Sequence, residues 1–174
     1  RHGSSTRQQC SDQGLWRWRG SVRSSVMSEN WGATLGELSS ADGSSKTILF
    51  AEVRAGLAKE DIRGTWALGF IGASVIARAA DGDALVPNAR NDNADDAGPG
   101  CLSSETLAGG GAQLAKMGLG CHESRGQATA RSQHTGGVLC CFSDGSVQFV
   151  TDNIDTRNWF RALGSMDGEV YTPQ

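Results

Sequence analysis

The sequence predicts a mainly β fold of the α+β class, with an antiparallel sheet, a C-terminal β-hairpin and short helices. Two apolar runs flank Asp144-Gly145, and an Asp-Gly pair between alternating hydrophobic residues is a strong hairpin signal. A β-branched run spans residues 47–53, and the 24 glycines and 3 prolines indicate many turns and few long helices. With 174 residues, we expect a single domain covering residues 1–174.

The first part of the chain carries one pattern of note. Residues 1–12 are polar and lack periodicity, so we expect them to be loosely ordered. Residues 15–19 alternate apolar and basic side chains, which predicts a short strand with Trp16 and Trp18 on one face. We interpret both as core tryptophans. The alternative is a Trp-Arg strip that stacks on sugar or binds an anion.

A buried strand is predicted in the next segment. Residues 21–37 are mixed and are expected to form a loop, whereas residues 47–53 are β-branched and nearly uncharged. Glu52 lies at the end of this strand. We expect its carboxylate to be solvated or paired with Arg54 or Arg63, and a catalytic role is the alternative.

Two further segments are apolar. Residues 63–68 are expected to form another strand, and residues 69–80 either a bulged strand or a short helix. No apolar run approaches the ~18 residues of a transmembrane helix, so no membrane span is expected in this chain. A net charge of −3 provides no basic field for nucleic acid.

The acidic segment at residues 81–100 is the candidate for a cofactor. Calcium prefers six to eight oxygen ligands, and one short stretch supplies carboxylate and amide oxygens. The spacing lacks the glycine and glutamate of an EF-hand, so we expect a solvated loop and no cofactor, with calcium as the alternative. The candidate calcium ligands are Asp92, Asn93, Asp95 and Asp96.

The five cysteines indicate an oxidising location, whether extracellular, at the cell surface or periplasmic. Cys101 and Cys121 bracket a Gly-rich segment and are expected to form a disulfide, which stabilises by about 3 kcal/mol in the chain-entropy model. Cys140 and Cys141 are adjacent on a strand and point to opposite faces, so they do not pair with each other. Cys10 either pairs with Cys141 or stays free.

Residues 134–174 are expected to form the hairpin and a C-terminal helix. A two-residue type I′ turn at Asp144-Gly145 sets the register that we expect. In this register one face of the hairpin is buried and carries Val138, Cys140, Phe142, Val147 and Phe149.

The helix follows directly after the hairpin. Asp155 is a plausible N-cap, and Ile154 before it packs against Trp159 as a hydrophobic staple. Gly164 ends the helix. The face expected to pack on the hairpin carries Trp159, Ala162 and Leu163.

The residue types of a nucleophilic triad occur in Ser132, His134 and Asp144. However, a strand separates Asp144 from the other two by on the order of 20 Å. We therefore expect His134 to fix the entry of the chain into the strand, and we expect no enzyme activity. A Ser/His hydrolase is the alternative.

Several stretches resemble one known family. His134, nine intervening residues and Asp144-Gly145 resemble the His-x9-Asp-Gly signature of a pilin-like family of planctomycetes. Residues 38–53 and 162–170 also resemble family segments, and so does the R-S-x-H-x-G-G lead-in. The motif residues are Arg131, Ser132, His134, Gly136, Gly137, Asp144 and Gly145.

The resemblance implies a pilin-like globular head with a prepilin-processing-associated C-terminal domain. It implies a non-enzymatic, exported pilin or pseudopilin-like structural protein of a surface filament or secretion-type assembly. Its partners would be further copies or other pilin-like subunits. The N-terminal prepilin helix of the family has no counterpart from Arg1 onwards, so we expect a fragment or a processed form. The rival is an extracellular module that binds calcium or a glycan.

Overall fold

The computed structural model describes residues 26–28, 31–77, 85–89, 100–121, 127–165 and 168–173. Its elements form a mixed α+β fold, as the sequence predicts. The strands are β1 (Met27–Ser28), β2 (Trp31–Gly32), β3 (Ile48–Ala51), β4 (Gly137–Phe142) and β5 (Val147–Thr151). The helices are α1 (Leu35–Ser40), α2 (Cys101–Ala108), α3 (Gly111–Lys116) and α4 (Thr156–Leu163).

Strands β3, β4 and β5 form a three-stranded antiparallel sheet in that order. Strand β3 comes from the middle of the sequence and pairs with β4, with Ala51 opposite Cys140. The register shifts between Ile48 and Phe50, which marks a β-bulge. This pairing places the end of β3 beside the start of the hairpin. The short strands β1 and β2 pair only with each other.

The hairpin itself is confirmed, but its predicted register was wrong by one residue. Val138 faces Val150 and Cys140 faces Gln148. The loop has three residues rather than two, because Gly145 N donates to Phe142 O at 2.9 Å. Gly145 has a φ of 85°. A type I turn followed by a left-handed glycine is the usual three-residue hairpin loop.

This shift changes which side chains of β5 face the core. A one-residue slip moves every side chain of a strand to the opposite face. Val147 and Phe149, which were expected to be buried, are 63% and 48% exposed. Val150 is buried in their place. The buried face of β4 was predicted correctly and comprises Val138, Cys140 and Phe142.

Helix α4 packs on the buried face of the sheet, as predicted. Asp155 is its N-cap, and the carboxylate accepts a hydrogen bond from Asn158 N at 2.9 Å. The ring of Tyr171 stacks on Phe142 with 5.5 Å between centroids. The buried core comprises Ile48, Ala130, Val138, Cys140, Phe142, Val150, Ile154, Trp159, Ala162 and Tyr171, and Leu163 packs against it.

Several predictions for the middle of the chain were wrong. Residues 63–68 form turns rather than a strand, because Arg63 turns inward to bind Asp61. The loop expected at residues 21–37 contains strands β1 and β2, and residues 35–37 begin helix α1. A capping box starts that helix, in which Glu37 N donates to Thr34 Oγ1 and Thr34 N donates to the Glu37 carboxylate.

Residues 69–77 contain turns and isolated bridges, including one from Ala77 to Ala128. They form neither the bulged strand nor the short helix that was expected. Residues 78–80 lie outside the described residues.

The Cys101–Cys121 disulfide is present and joins the start of α2 to the residues after α3, with Cα atoms 5.7 Å apart. Cys140 and Cys141 are both free, as expected of neighbours on opposite faces. Burial, together with the nearby Glu52 and Cys141, raises the pKa of Cys140 to about 12. Cys10 lies outside the described residues. Across the part of the chain that the structure describes, no helix has both the length and the apolar character needed to cross a membrane.

Candidate functional site

The motif residues from Arg131 to Gly137 lie directly beside the end of strand β3. Arg131 N donates a hydrogen bond to Glu52 O at 2.8 Å. The Arg131 side chain is buried, and its Nη1 donates to Ala89 O at 2.6 Å. The lead-in to β4 is therefore held between β3 and the segment at residues 85–89.

Glu52 connects the lead-in to β4 through its side chain. Its Oε2 accepts a hydrogen bond from Leu139 N at 2.7 Å, and its Oε1 lies 3.1 Å from His134 Nε2. Glu52 N also donates to Leu139 O at 3.3 Å. We name Glu52, Ser132, His134 and Leu139 the hairpin clasp.

The prediction that Glu52 pairs with an arginine was therefore wrong. Arg63 pairs with Asp61, and Arg54 Nη1 donates to Met117 O. The side chain that contacts the Glu52 carboxylate is His134 instead, because β3 ends directly beside the lead-in. The carboxylate is only partly exposed, so it is not fully solvated either.

The Ser132 side chain makes two hydrogen bonds within the lead-in. Its Oγ donates to Gly137 O at 2.6 Å and accepts from His134 N at 3.1 Å. The residue is buried. A hydroxyl is both donor and acceptor, so this one side chain satisfies two main-chain groups of the loop.

Asn88 is the site residue that the sequence did not reveal. Its Oδ1 accepts from Ser132 N at 2.8 Å. Its Nδ2 donates to Gly137 O at 3.2 Å and to Asp152 Oδ1 at 2.8 Å. The buried amide thereby connects the lead-in to the far end of β5.

A local signal for Asn88 exists in the sequence. It follows Pro87 and has a φ of 52°. Proline followed by asparagine suits a turn whose third residue is left-handed. This pattern identifies the turn but not the distant partners of its side chain.

The two adjacent glycines of the motif, Gly136 and Gly137, each occupy a position where a larger residue would be strained. Gly136 has a φ of 84°, which favours glycine. A Cβ on Gly137 would lie 2.3 Å from Val150 O and 2.7 Å from the Phe149 ring. The ring of Phe149 therefore lies where any larger residue at position 137 would place its side chain.

The three residue types of the triad are not assembled in a catalytic geometry. The His134 ring faces Glu52 and the Ser132 hydroxyl faces Gly137 O. Asp144 lies at the hairpin tip, where its Oδ1 accepts from Ser146 N at 2.9 Å. The two hydrogen bonds from Ser146 lower the pKa of Asp144 below its ordinary value.

Two open clefts lie on either side of the clasp. One of about 500 Å³ is bordered by residues 86–89, 133–136 and Asp152. The other, of about 450 Å³, is bordered by residues 52–55, Leu57 and residues 131–133. Among the described residues, no group of three acidic, histidine or cysteine side chains is arranged to hold a metal ion.

A second polar cluster, also missed from the sequence, lies beside the disulfide. Arg63 and Asp61 form a buried ion pair, with Arg63 Nη2 2.6 Å from Asp61 Oδ2. Ser104 Oγ donates to Asp61 Oδ2 at 2.5 Å. Arg63 Nη1 donates to the carbonyls of Leu119 and Gly120 at 2.8 and 2.7 Å. Every polar group of the pair has a partner, so the pair connects the loop at residues 54–64 to α2 and to the end of α3.

Several predicted site residues lie outside the described residues. They are the Trp16 and Trp18 strip and the calcium candidates Asp92, Asn93, Asp95 and Asp96. Both remain predictions.

Comparison with known proteins identifies a family. A family model described as "Protein of unknown function (DUF1559)", SBP_bac_10, matches residues 8–157. No curated protein matches the chain, and no solved structure matches it. Because the family model covers most of the sequence, the chain belongs to the SBP_bac_10 family of proteins of unknown function (DUF1559).

Proposed function

We propose that this chain is a non-enzymatic, exported structural subunit of the pilin or pseudopilin type, acting in a surface filament or a secretion-type assembly. The observation that carries the proposal is the hairpin clasp. The residues that resemble the pilin-like motif make hydrogen bonds that hold β3, β4 and the lead-in together. Such a role needs a stable head rather than a reactive side chain.

The state of the polar side chains supports this reading over catalysis. A catalytic nucleophile requires a base within hydrogen-bonding reach. The Ser132 hydroxyl instead donates to a main-chain carbonyl, and His134 Nε2 lies beside Glu52. The Ser132 hydroxyl thus positions the backbone, and the His134 ring contacts the Glu52 carboxylate.

The disulfide supports export. Structural disulfides form and persist mainly in oxidising compartments. The Cys101–Cys121 bond closes a loop with a sequence separation of 20 residues, beside the buried Asp61–Arg63 pair. This location fits an extracellular, cell-surface or periplasmic protein.

Immunogold electron microscopy of producing cells tests the proposal. An antibody against this chain is expected to label filaments or envelope-associated assemblies, and the subunit mass is measured on the same material. Cells that lack the gene are the control. Label confined to the cytoplasm would overturn the proposal.

A hydrolysis assay tests the enzymatic rival on the same protein. Wild type and His134→Gln are compared on generic ester and peptide substrates. We expect neither to hydrolyse them. Hydrolysis by the wild type that is lost in the variant would contradict a purely structural role.

A further inference from the structure

Strand β5 forms one edge of the three-stranded sheet, and β4 is its only strand neighbour among the described residues. The backbone groups of an antiparallel strand alternate between its two sides. Phe142 N donates to Ser146 O, which sets the alternation along β5. The backbone N–H and C=O groups of Gln148 and Val150 therefore face β4, and those of Val147, Phe149 and Thr151 point away from the sheet. No described hydrogen bond uses the N–H groups of Val147, Phe149 or Thr151.

Among the residues that the structure describes, this outer edge lacks the features that normally prevent strand pairing. Exposed edges are usually protected by charged residues, proline, bulges or a covering segment. Strand β5 reads VQFVT, without a charge or a proline. Its pairing with β4 is continuous from Gly137–Thr151 to Cys141–Val147, with no register shift. A regular edge of this kind is able to pair with an extended strand.

The side chains beside the edge restrict the chemistry of the partner. Val147 and Phe149 are exposed on the outer face of the sheet, next to Leu139 and Phe50. An apolar, uncharged edge favours an equally apolar strand over an acidic or basic peptide. Strand β5 itself has this composition.

We infer that a second copy of this chain pairs antiparallel along β5, with the twofold axis beside Phe149. In this register Phe149 faces the partner's Phe149, and Val147 faces the partner's Thr151. In this register the outward N–H groups of Val147, Phe149 and Thr151 are donors and their carbonyls are acceptors on both copies, as a self-complementary twofold interface requires. Thr151 O also accepts from Ile154 N at 3.2 Å, and its second lone pair faces the new strand. The result is one continuous six-stranded sheet.

This inference goes beyond the proposed function. A twofold pair is a closed association and does not by itself build a filament. The pairing inference can therefore be tested independently of the location of the protein in the cell.

Sedimentation of the purified chain with two lysine variants tests the pairing. Val147→Lys introduces a charge on the edge strand and is expected to raise the dimer dissociation constant by about tenfold or more. Leu139→Lys is the matched control on the same sheet face but on the central strand, and it is expected to leave dimerisation unchanged. If Leu139→Lys weakens the dimer as much as Val147→Lys does, the copies pack face to face and the inference is wrong.

Disulfide trapping tests the register. In a background of Cys10→Ser and Cys141→Ser, Phe149→Cys places two thiols on the twofold axis, where paired Cα atoms are about 5.5 Å apart. Thr151→Cys is the control, because its two copies lie about 14 Å apart across the axis. Oxidation is expected to cross-link only Phe149→Cys. Equal cross-linking of both variants, or of neither, would overturn the register.

Amide hydrogen exchange provides the last check. In the dimer, the N–H groups of Val147, Phe149 and Thr151 are expected to gain protection as concentration rises. A chain that is monomeric at all concentrations overturns the inference. If those amides are nonetheless protected in the monomer, another segment of the same chain covers the edge.

Discussion

Asp61 shows how this protein tolerates a buried charge. Burial alone would raise the pKa of its carboxyl, but hydrogen bonds from Arg63 and Ser104 and the charge of Arg63 outweigh it and lower the pKa. The packing around the group is tight, because a Cβ on Gly56 would lie 2.1 Å from the carboxyl carbon. Asp61 is therefore ionised in the folded protein, and Arg63 depends on it.

We expect Asp61→Asn to lower the free energy of unfolding by about 3–5 kcal/mol, because it leaves the Arg63 charge buried without its partner. Urea unfolding at neutral pH measures the change. Glu60→Gln is the matched control, since Glu60 makes an exposed contact with Lys59 and should change stability by less than about 1 kcal/mol. Equal effects of the two variants would contradict a structural role of the buried pair.

The same carboxyl predicts a dependence on pH. The pKa of Asp61 is lower in the folded than in the unfolded chain, where it is near 3.8. As the pH falls below that value, the unfolded state takes up the proton first and the folded state loses its advantage. The stabilisation is present above pH 3.8 and disappears as the pH falls through the folded-state pKa.

We therefore expect the unfolding free energy of Asp61→Asn to decline less steeply in acid than that of the wild type. Some acid sensitivity should remain, because hydrogen bonds from Arg157 and Arg161 lower the pKa of Glu169 to about 2. Urea unfolding at several acidic pH values measures both slopes. Parallel slopes would show that Asp61 is not the responsible group.

At the scale of elements, the hairpin loop depends on one glycine. Gly145 has a φ of 85° and no heavy atom within 4 Å of a Cβ at that position. Gly145→Ala should therefore destabilise through backbone strain alone, by about 1–2 kcal/mol. Gly69→Ala is the control, because that position is equally open and does not have positive φ. Thermal or urea unfolding of both variants makes the comparison, and equal stability would contradict the three-residue loop.

This loop shows the limit of the sequence signal. Asp-Gly between two apolar runs locates the hairpin, but it is compatible with a two-residue turn and with a three-residue loop. In the observed three-residue loop, Asp144 Oδ1 accepts from Ser146 N and Ser146 Oγ. The longer loop shifts the register of β5 by one residue relative to a two-residue turn, so Phe149 is exposed instead of buried.

The other elements were predictable where their signals are local in sequence and were missed where they depend on distant contacts. Helix α4 could be predicted because its cap, its staple and its apolar face are all local in sequence. Helix α1 also had a local signal that was overlooked, the capping-box spacing of Thr34 and Glu37. The strand expected at residues 63–68 does not form, because Arg63 turns inward to Asp61 and to the carbonyls of Leu119 and Gly120. Those carbonyls lie 56 and 57 positions further along the chain, so the contact could not be predicted locally.

The motif residues of the candidate site could be predicted from the sequence, but their partners could not. Ser132 and His134 stand out by residue type and motif, and a structural role was expected for His134. Their partners were not predicted, because Glu52 is 82 positions from His134 and Asn88 is 44 positions from Ser132. Contacts over such distances depend on the strand pairing of β3 with β4.

At the scale of the whole molecule, a few long-range contacts replace long regular elements. The disulfide, the Asp61–Arg63 pair and the hairpin clasp each join segments far apart in the sequence. The disulfide alone contributes about 3 kcal/mol by restricting the unfolded chain. A Gly-rich chain with short helices and strands thereby gains a defined fold.

We propose that the motif residues stabilise the fold rather than perform chemistry. The free energy of unfolding of Ser132→Ala, measured in urea against wild type, tests it most directly. We expect a loss of about 1–3 kcal/mol, because Gly137 O and His134 N both lose the buried hydroxyl. Ser40→Ala, whose exposed hydroxyl donates to Gly36 O, is the control and should change stability by less than about 0.5 kcal/mol. A Ser132→Ala protein as stable as the wild type would contradict the account.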